Sequence, residues 1–89
     1  MVSKEIEIIN KLGLHARAAA KLVHTSARFS STIKVRKGHE EVDGKSILGI
    51  LLLAAARGTC ITVTAQGADE AEALAALQDL IGRKFDEVE

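Results

Sequence analysis

Stretches that alternate polar and apolar residues set the frame for this chain. Lys4-Glu5-Ile6-Glu7-Ile8-Ile9 alternates charged and apolar residues, the mark of a strand with one buried face. Thr32-Ile33-Lys34-Val35-Arg36-Lys37 repeats the pattern cleanly, and Cys60-Ile61-Thr62-Val63-Thr64-Ala65 is a last strand rich in β-branched residues. Lys37-Gly38-His39-Glu40 reads as a hairpin turn into a short strand around Glu41-Val42. Helical patterns lie between these strands. The first runs from Ala16 to Ala27, with Ala19, Leu22, Val23 and Ser26 on one stripe. The second starts at Ile47, after the turn Asp43-Gly44-Lys45 and an N-capping Ser46, and Arg57-Gly58 closes it. The third opens with Asp69 and Glu72 in a capping-box-like pair and turns Ala71, Leu74, Leu77, Gln78 and Ile81 inward. Beyond it, the acidic tail Asp86 to Glu89 is expected to fray. The order β-α-β-β-α-β-α with alternating strands predicts an α+β fold, an antiparallel sheet covered on one face by helices.

Eighty-nine residues suit one domain, residues 1–89, near the lower end of size for an independent core. Only 2% of the residues are aromatic, so the core must be built from Ala, Val, Ile and Leu, with Phe29 and Phe85 as the only large rings. Twelve basic residues balance twelve acidic ones. Such a surface does not suit a polyanion or an acidic membrane, and the strands offer no aromatic platform for RNA. The longest apolar stretch, Ile47 to Ala56, is interrupted by Gly49 and too short to span a membrane. No charged-then-apolar leader opens the chain, so a cytoplasmic protein is expected. Cys60 stands alone, which excludes an internal disulfide and a multi-cysteine metal site, and it reads as a small packed residue. His15, His24 and His39 lie too far apart in sequence, without cysteine, to argue for zinc.

Chemistry concentrates in Asn10-Lys11-Leu12-Gly13-Leu14-His15-Ala16-Arg17. A strand ends, a glycine-containing loop follows, and His15 falls at the mouth of a helix, where unpaired N–H groups and the positive end of the dipole face outward. Arg17 is near enough in sequence to reach the same anion, which describes a phosphate site. A nucleophilic imidazole must be neutral, with one nitrogen free and the other oriented by a hydrogen bond. Alternatively, His15 is an ordinary cap or surface residue. His24 and His39 lack the loop-helix-arginine setting and read as surface residues. No Walker loop, carboxylate cluster for magnesium or acid–base pair accompanies His15, so the chain could hold a phosphoryl group but not extract one from a nucleotide. No cofactor is implied.

Ile47-Leu48-Gly49-Ile50-Leu51-Leu52-Leu53-Ala54 is apolar on every side. A helix on a two-layer domain this small turns only part of its circumference inward, so the remainder is either an exposed docking face or an over-buried core helix. Ser46 has two readings as well, a simple N-cap or a phosphoacceptor whose added charge would repel partners from that face.

At this point the residues resemble a known family. The stretch Asn10 to Arg17 looks like the active-site signature of HPr, the histidine phosphocarrier of the bacterial phosphoenolpyruvate-dependent phosphotransferase system. Asp43-Gly44-Lys45-Ser46-Ile47-Leu48-Gly49 is similar to the family's serine-site signature, and Gln66-Gly67-Ala68-Asp69-Glu70-Ala71 fits its turn into the last helix. The resemblance covers essentially the whole chain. It implies an open-faced β-sandwich of four antiparallel strands with three helices on one side. It further implies a carrier and not an enzyme: His15 receives a phosphoryl group on Nδ1 from phosphorylated enzyme I and passes it to enzyme IIA domains. Arg17 would stabilise the transferred group, and Ser46 would match the position modified by HPr kinase/phosphorylase. Ile47, Leu48 and Leu51 would match the docking surface of a monomer that binds no nucleic acid. One position departs from the family pattern: Ala18 stands where proline commonly follows the arginine, which gives an additional N–H in the first turn. This variant, with its Phe85-Asp86-Glu87 ending, resembles carriers of the nitrogen-related branch and HPr proteins of some Gram-negative bacteria. The alternative reading is a regulatory protein-binding module acting through the Ser46 helix, as in a nitrogen-related phosphorelay.

Overall fold

The computed structural model describes residues 1–87. Its elements are β1 (Val2–Glu7), α1 (Ala16–Ala27), β2 (Thr32–Lys37), β3 (Glu40–Asp43), α2 (Ile47–Leu53), β4 (Cys60–Gln66) and α3 (Glu70–Gly82), followed by a short turn, Lys84–Asp86. The four strands form one antiparallel sheet in the order β1-β4-β2-β3, with the three helices on one face. Because β1 and β2 both run antiparallel to β4, they are parallel to each other. The chain between them must therefore cross over, and α1 is that crossover.

Period-two alternation sets the register. Ile33 pairs with Ala65 and Val35 with Val63, all buried, while Lys34, Arg36, Thr62 and Thr64 alternate onto the other face. On that face Lys34 lies opposite Asp43 and Arg36 opposite Glu41, favourable cross-strand charge pairs. The same alternation corrects the expectation for Cys60. With Ile61 and Val63 turned inward, residue 60 points outward, and the thiol is exposed rather than packed. The first strand lies two residues earlier than its sequence pattern suggested. Ile8 remains in the core while its backbone pairs with the loop before β4, through Ile8 N–H to Thr59 O at 2.8 Å and Gly58 N–H to Ile8 O at 2.7 Å.

Helix α1 buries Ala18, Ala19, Leu22 and Ser26, with Val23 partly covered. Helix α3 buries Ala73, Leu77, Leu80 and Ile81. Ala71 and Gln78, expected inside, are exposed. Alanine occurs on several sides of this helix, so alanine could not discriminate between two stripes that share Leu77 and Ile81.

The capping pair also differs from expectation. Asp69 precedes α3 but caps nothing in its own helix. Its carboxylate instead accepts from the backbone N–H groups of Ser30 and Ser31, each at 2.9 Å, and from the Ser31 hydroxyl. The bond from the Ser31 hydroxyl, with those from the Ser30 and Ser31 N–H groups, draws the Asp69 carboxyl down from 3.8 to about 2 against the opposing effect of desolvation. A carboxyl lowered on folding stabilises fully above its unfolded value, and that contribution is lost as pH falls from near 4 towards 2. The stability deficit of Asp69→Asn, measured by urea denaturation, is therefore expected to be constant above pH 5 and to shrink between pH 4 and pH 2. A deficit independent of pH would contradict this.

The tail does not fray within the described residues. Phe85 is fully buried, and Lys21 Nζ donates to its carbonyl at 2.6 Å. Val88 and Glu89, the rest of that expectation, lie outside the described residues.

Candidate functional site

The loop between β1 and α1 is clamped to the loop between α2 and β4. Leu14 N–H donates to Ala55 O at 2.9 Å, and the Leu14 side chain is buried. Gly13 has φ +66°, and a Cβ there would lie 2.6 Å from Ala55 O and 2.9 Å from the Ala56 Cα. Both the backbone conformation and the close approach require glycine. The loop presenting His15 is thus seated directly on the segment that ends the apolar helix.

His15 is the N-cap residue of α1, extended at φ −77° and ψ 180°, and its side chain makes no capping bond. The first helical hydrogen bond runs from Ala19 N–H to His15 O at 2.8 Å. The N–H groups of Ala16, Arg17 and Ala18 lie ahead of it, the orphan donors of a helix start. Arg17 is exposed, and among the described residues its guanidinium has no hydrogen-bond or ion-pair partner. Ala18, at the third helical position, is fully buried, so its methyl packs inward while its N–H joins the orphan set.

The ring of His15 meets a residue that sequence reading did not single out. His15 Nε2 contacts Glu87 Oε2, and the other carboxylate oxygen of Glu87 accepts from Asn10 Nδ2 at 3.0 Å. Asn10 Nδ2 also donates to Gly13 O at 2.8 Å, so one buried amide ties the loop to the C-terminal segment. Burial pushes the Glu87 carboxyl up. The hydrogen bonds from His15 and Asn10, with the charge of His15 whenever its ring is protonated and that of Lys21, outweigh that and hold it below the usual glutamate range. The carboxylate is therefore ionised at neutral pH. Nothing in the local sequence pairs position 87 with position 15; the turn after α3 does.

Ser46 is the N-cap of α2, its hydroxyl accepting from Gly49 N–H at 3.1 Å. In α2, Ile50 and Leu53 are buried and Leu51 is half-buried against the core. Ile47, Leu48 and Leu52 stand 47%, 67% and 66% exposed, so α2 is apolar on its outer side as well. Leu52 joins Ile47 and Leu48 outside, where Leu51 had been expected. Leu12, on the His15 loop, is also 66% exposed. His24 and His39 are exposed and apart from this cluster. Among the described residues no group of three or more His, Cys, Asp or Glu side chains could hold a metal, and no helix is long and apolar enough to cross a membrane.

A family model described as "PTS HPr component phosphorylation site" matches residues 2–83. The chain belongs to the HPr family. Among its relatives, the phosphocarrier protein HPr of Neisseria meningitidis serogroup B is 54% identical over 89 residues, covering all of both chains. HPr of Pseudomonas aeruginosa is 50% identical over 90 residues, again covering all of both. The crystal structure of HPr from Thermoanaerobacter tengcongensis aligns with TM-score 0.96 at 48% identity over the full length of both chains. The Bacillus subtilis catabolite repression protein Crh aligns with TM-score 0.76 at 40% identity over 94% of this chain and 97% of its own. HPr proteins are phosphocarriers, so the carrier role expected for this chain, in place of an enzyme's, follows from the family.

Proposed function

We propose that this member of the HPr family carries a phosphoryl group on His15 Nδ1, taken from phosphorylated enzyme I and passed to a histidine of an enzyme IIA domain. The observation that supports this most is the division of labour on the ring: Nε2 is occupied by Glu87, which leaves Nδ1 as the available nucleophile at a helix mouth. Incoming phosphoryl oxygens meet the orphan N–H groups of residues 16–18, and Arg17 swings onto them as the mobile cation. Labelling with phosphoenolpyruvate and enzyme I tests the assignment. Label that stays when His15 is replaced by alanine overturns it.

In this reading the chain is one cytoplasmic domain of residues 1–89 that works as a monomer. Partners dock on Ile47, Leu48 and Leu52, with Leu51 supporting them from below. The loop clamp through Leu14 and Ala55 holds that docking helix and the phosphate site in fixed relation. Ser46 borders the apolar face and is the position where HPr kinase/phosphorylase acts, in organisms that encode it. A phosphoryl group there adds negative charge at the docking edge. Ser46→Asp is expected to slow transfer to His15 about tenfold, roughly 1.4 kcal/mol of binding or barrier. Equal rates for Ser46→Asp and the parent chain would remove that mechanism.

The exposed apolar side of α2 also favours a second reading, a regulatory binding module in which His15 is secondary. Partner binding measured without any phosphoryl donor separates the two. The carrier reading expects His15→Ala to bind enzyme I nearly as well as the parent chain and to fail only in transfer.

A further inference from the structure

We infer that Glu87 and Asn10 are positioning residues that lock His15 as its Nε2–H tautomer, making Nδ1 the only nucleophile, and that Glu87 pairs with the charged ring formed on phosphoryl uptake. The inference deepens the carrier reading and rests on it. An ionised carboxylate can only accept hydrogen bonds, so the ring nitrogen facing Glu87 must carry the proton. The carboxylate itself cannot turn away, because its second oxygen is held by Asn10.

Two costly features converge on this one contact. Asn10 is fully buried and spends its amide nitrogen on Gly13 O and Glu87, while its Oδ1 is buried without a partner among the described residues. Lys84, Phe85 and Asp86 have φ of 58°, 55° and 61°, three consecutive left-handed residues, none of them glycine. That turn is held by the buried Phe85 ring and by Lys21, and it reverses the chain so that Glu87 faces His15. Burial of the Phe85 ring offsets that strain, and the chain reversal it fixes is what brings the Glu87 carboxylate against His15.

The step balances without moving a proton. The Nδ1 lone pair attacks phosphorus of a phosphohistidine donor. As the Nδ1–P bond forms, the donor's P–N bond breaks and its electron pair stays on the donor nitrogen. The His15 ring now carries the phosphoryl group on Nδ1, a hydrogen on Nε2 and one positive charge, directly against the Glu87 carboxylate. The positive end of α1, Arg17 and Lys21 all disfavour that charge, and Glu87 is the carboxylate in contact with it. Outward transfer reverses the step, and neutral Nε2–H imidazole is the leaving group.

Nitrogen-15 NMR of the unphosphorylated chain is expected to show the Nε2–H tautomer of His15 and, for Glu87→Ala, a mixture of both tautomers. Phosphoramidate, a small donor that needs no partner protein, is expected to label the parent chain on Nδ1. In Glu87→Ala the label should divide between the two nitrogens, with the Nδ1 rate reduced about tenfold. Glu87→Gln, which keeps an acceptor oxygen without the charge, should retain Nδ1 selectivity and share the rate loss. An unchanged tautomer and unchanged selectivity in Glu87→Ala overturn the inference even if His15 is confirmed as the phosphoryl carrier. Failure of the parent chain to take a phosphoryl group at all overturns the carrier reading instead, and the tautomer measurement still decides what Glu87 does.

Discussion

Replacing His15 by alanine is expected to abolish phosphoryl uptake completely while leaving the fold intact. Incubated with enzyme I and phosphoenolpyruvate, the parent chain should gain the mass of one phosphoryl group, labile in acid and stable in base. The His15→Ala chain should gain none. The physical ground for expecting total loss is that neither remaining histidine has the required setting. His24 lies within α1 and His39 in the β2–β3 hairpin, both exposed and neither at a helix start. The ground for expecting an intact fold is that the His15 side chain is only partly buried, caps nothing, and has Glu87 as its partner. Removing the imidazole leaves the largely buried Glu87 carboxylate with Asn10 as its remaining partner, a loss of about 1–3 kcal/mol that a folded domain survives. A cooperative thermal transition that lies above the assay temperature would show that lost chemistry, and not unfolding, explains the missing phosphate. A mass gain that survives the substitution places the acceptor elsewhere.

Much of this architecture was legible in the sequence because its signals are periodic and local. The alternation at Thr32–Lys37 and Cys60–Ala65 depends on which face meets the core, and the register Ile33 to Ala65 follows from it. Ser46 was legible for the same reason, since a cap is decided within one helical turn. The failures lie where residues distant in sequence meet. Asp69 has the local features of a capping box, yet a stronger set of donors at Ser30 and Ser31, nearly forty positions away in the chain, takes its carboxylate. Glu87 reads as one more acid in an acidic tail. Its role depends on a left-handed turn that propensity disfavours at Lys84 and Phe85. The one hint at that end of the chain was Phe85, an isolated large ring in a chain with almost no others. An anchor of that kind in a supposed tail is a sign that the tail is packed.

Phe85→Ala is expected to be the most destabilising single truncation in the chain, and it tests that anchor directly. Phe85 is fully buried and heads the largest fully buried side chains. Truncating such a ring removes both its transfer free energy and its packing contacts, together about 3–5 kcal/mol. Partial relaxation of the left-handed turn works the other way, because the anchored ring is what holds that turn in place. The net loss should therefore fall near the lower end, about 3 kcal/mol, against a total of roughly 5–15 kcal/mol for a domain. In a chain this short that corresponds to a fall in thermal midpoint of about 12–24 °C. Phe29→Ala, at a half-buried ring, should cost distinctly less. The second consequence separates anchoring from packing. With the ring gone, the segment that presents Glu87 is no longer held, so at temperatures where Phe85→Ala is still folded its His15 ring should show the same tautomer mixture expected for Glu87→Ala. A destabilised Phe85→Ala whose His15 keeps the Nε2–H form would mean that Asn10 and Lys21 hold Glu87 in place without the ring.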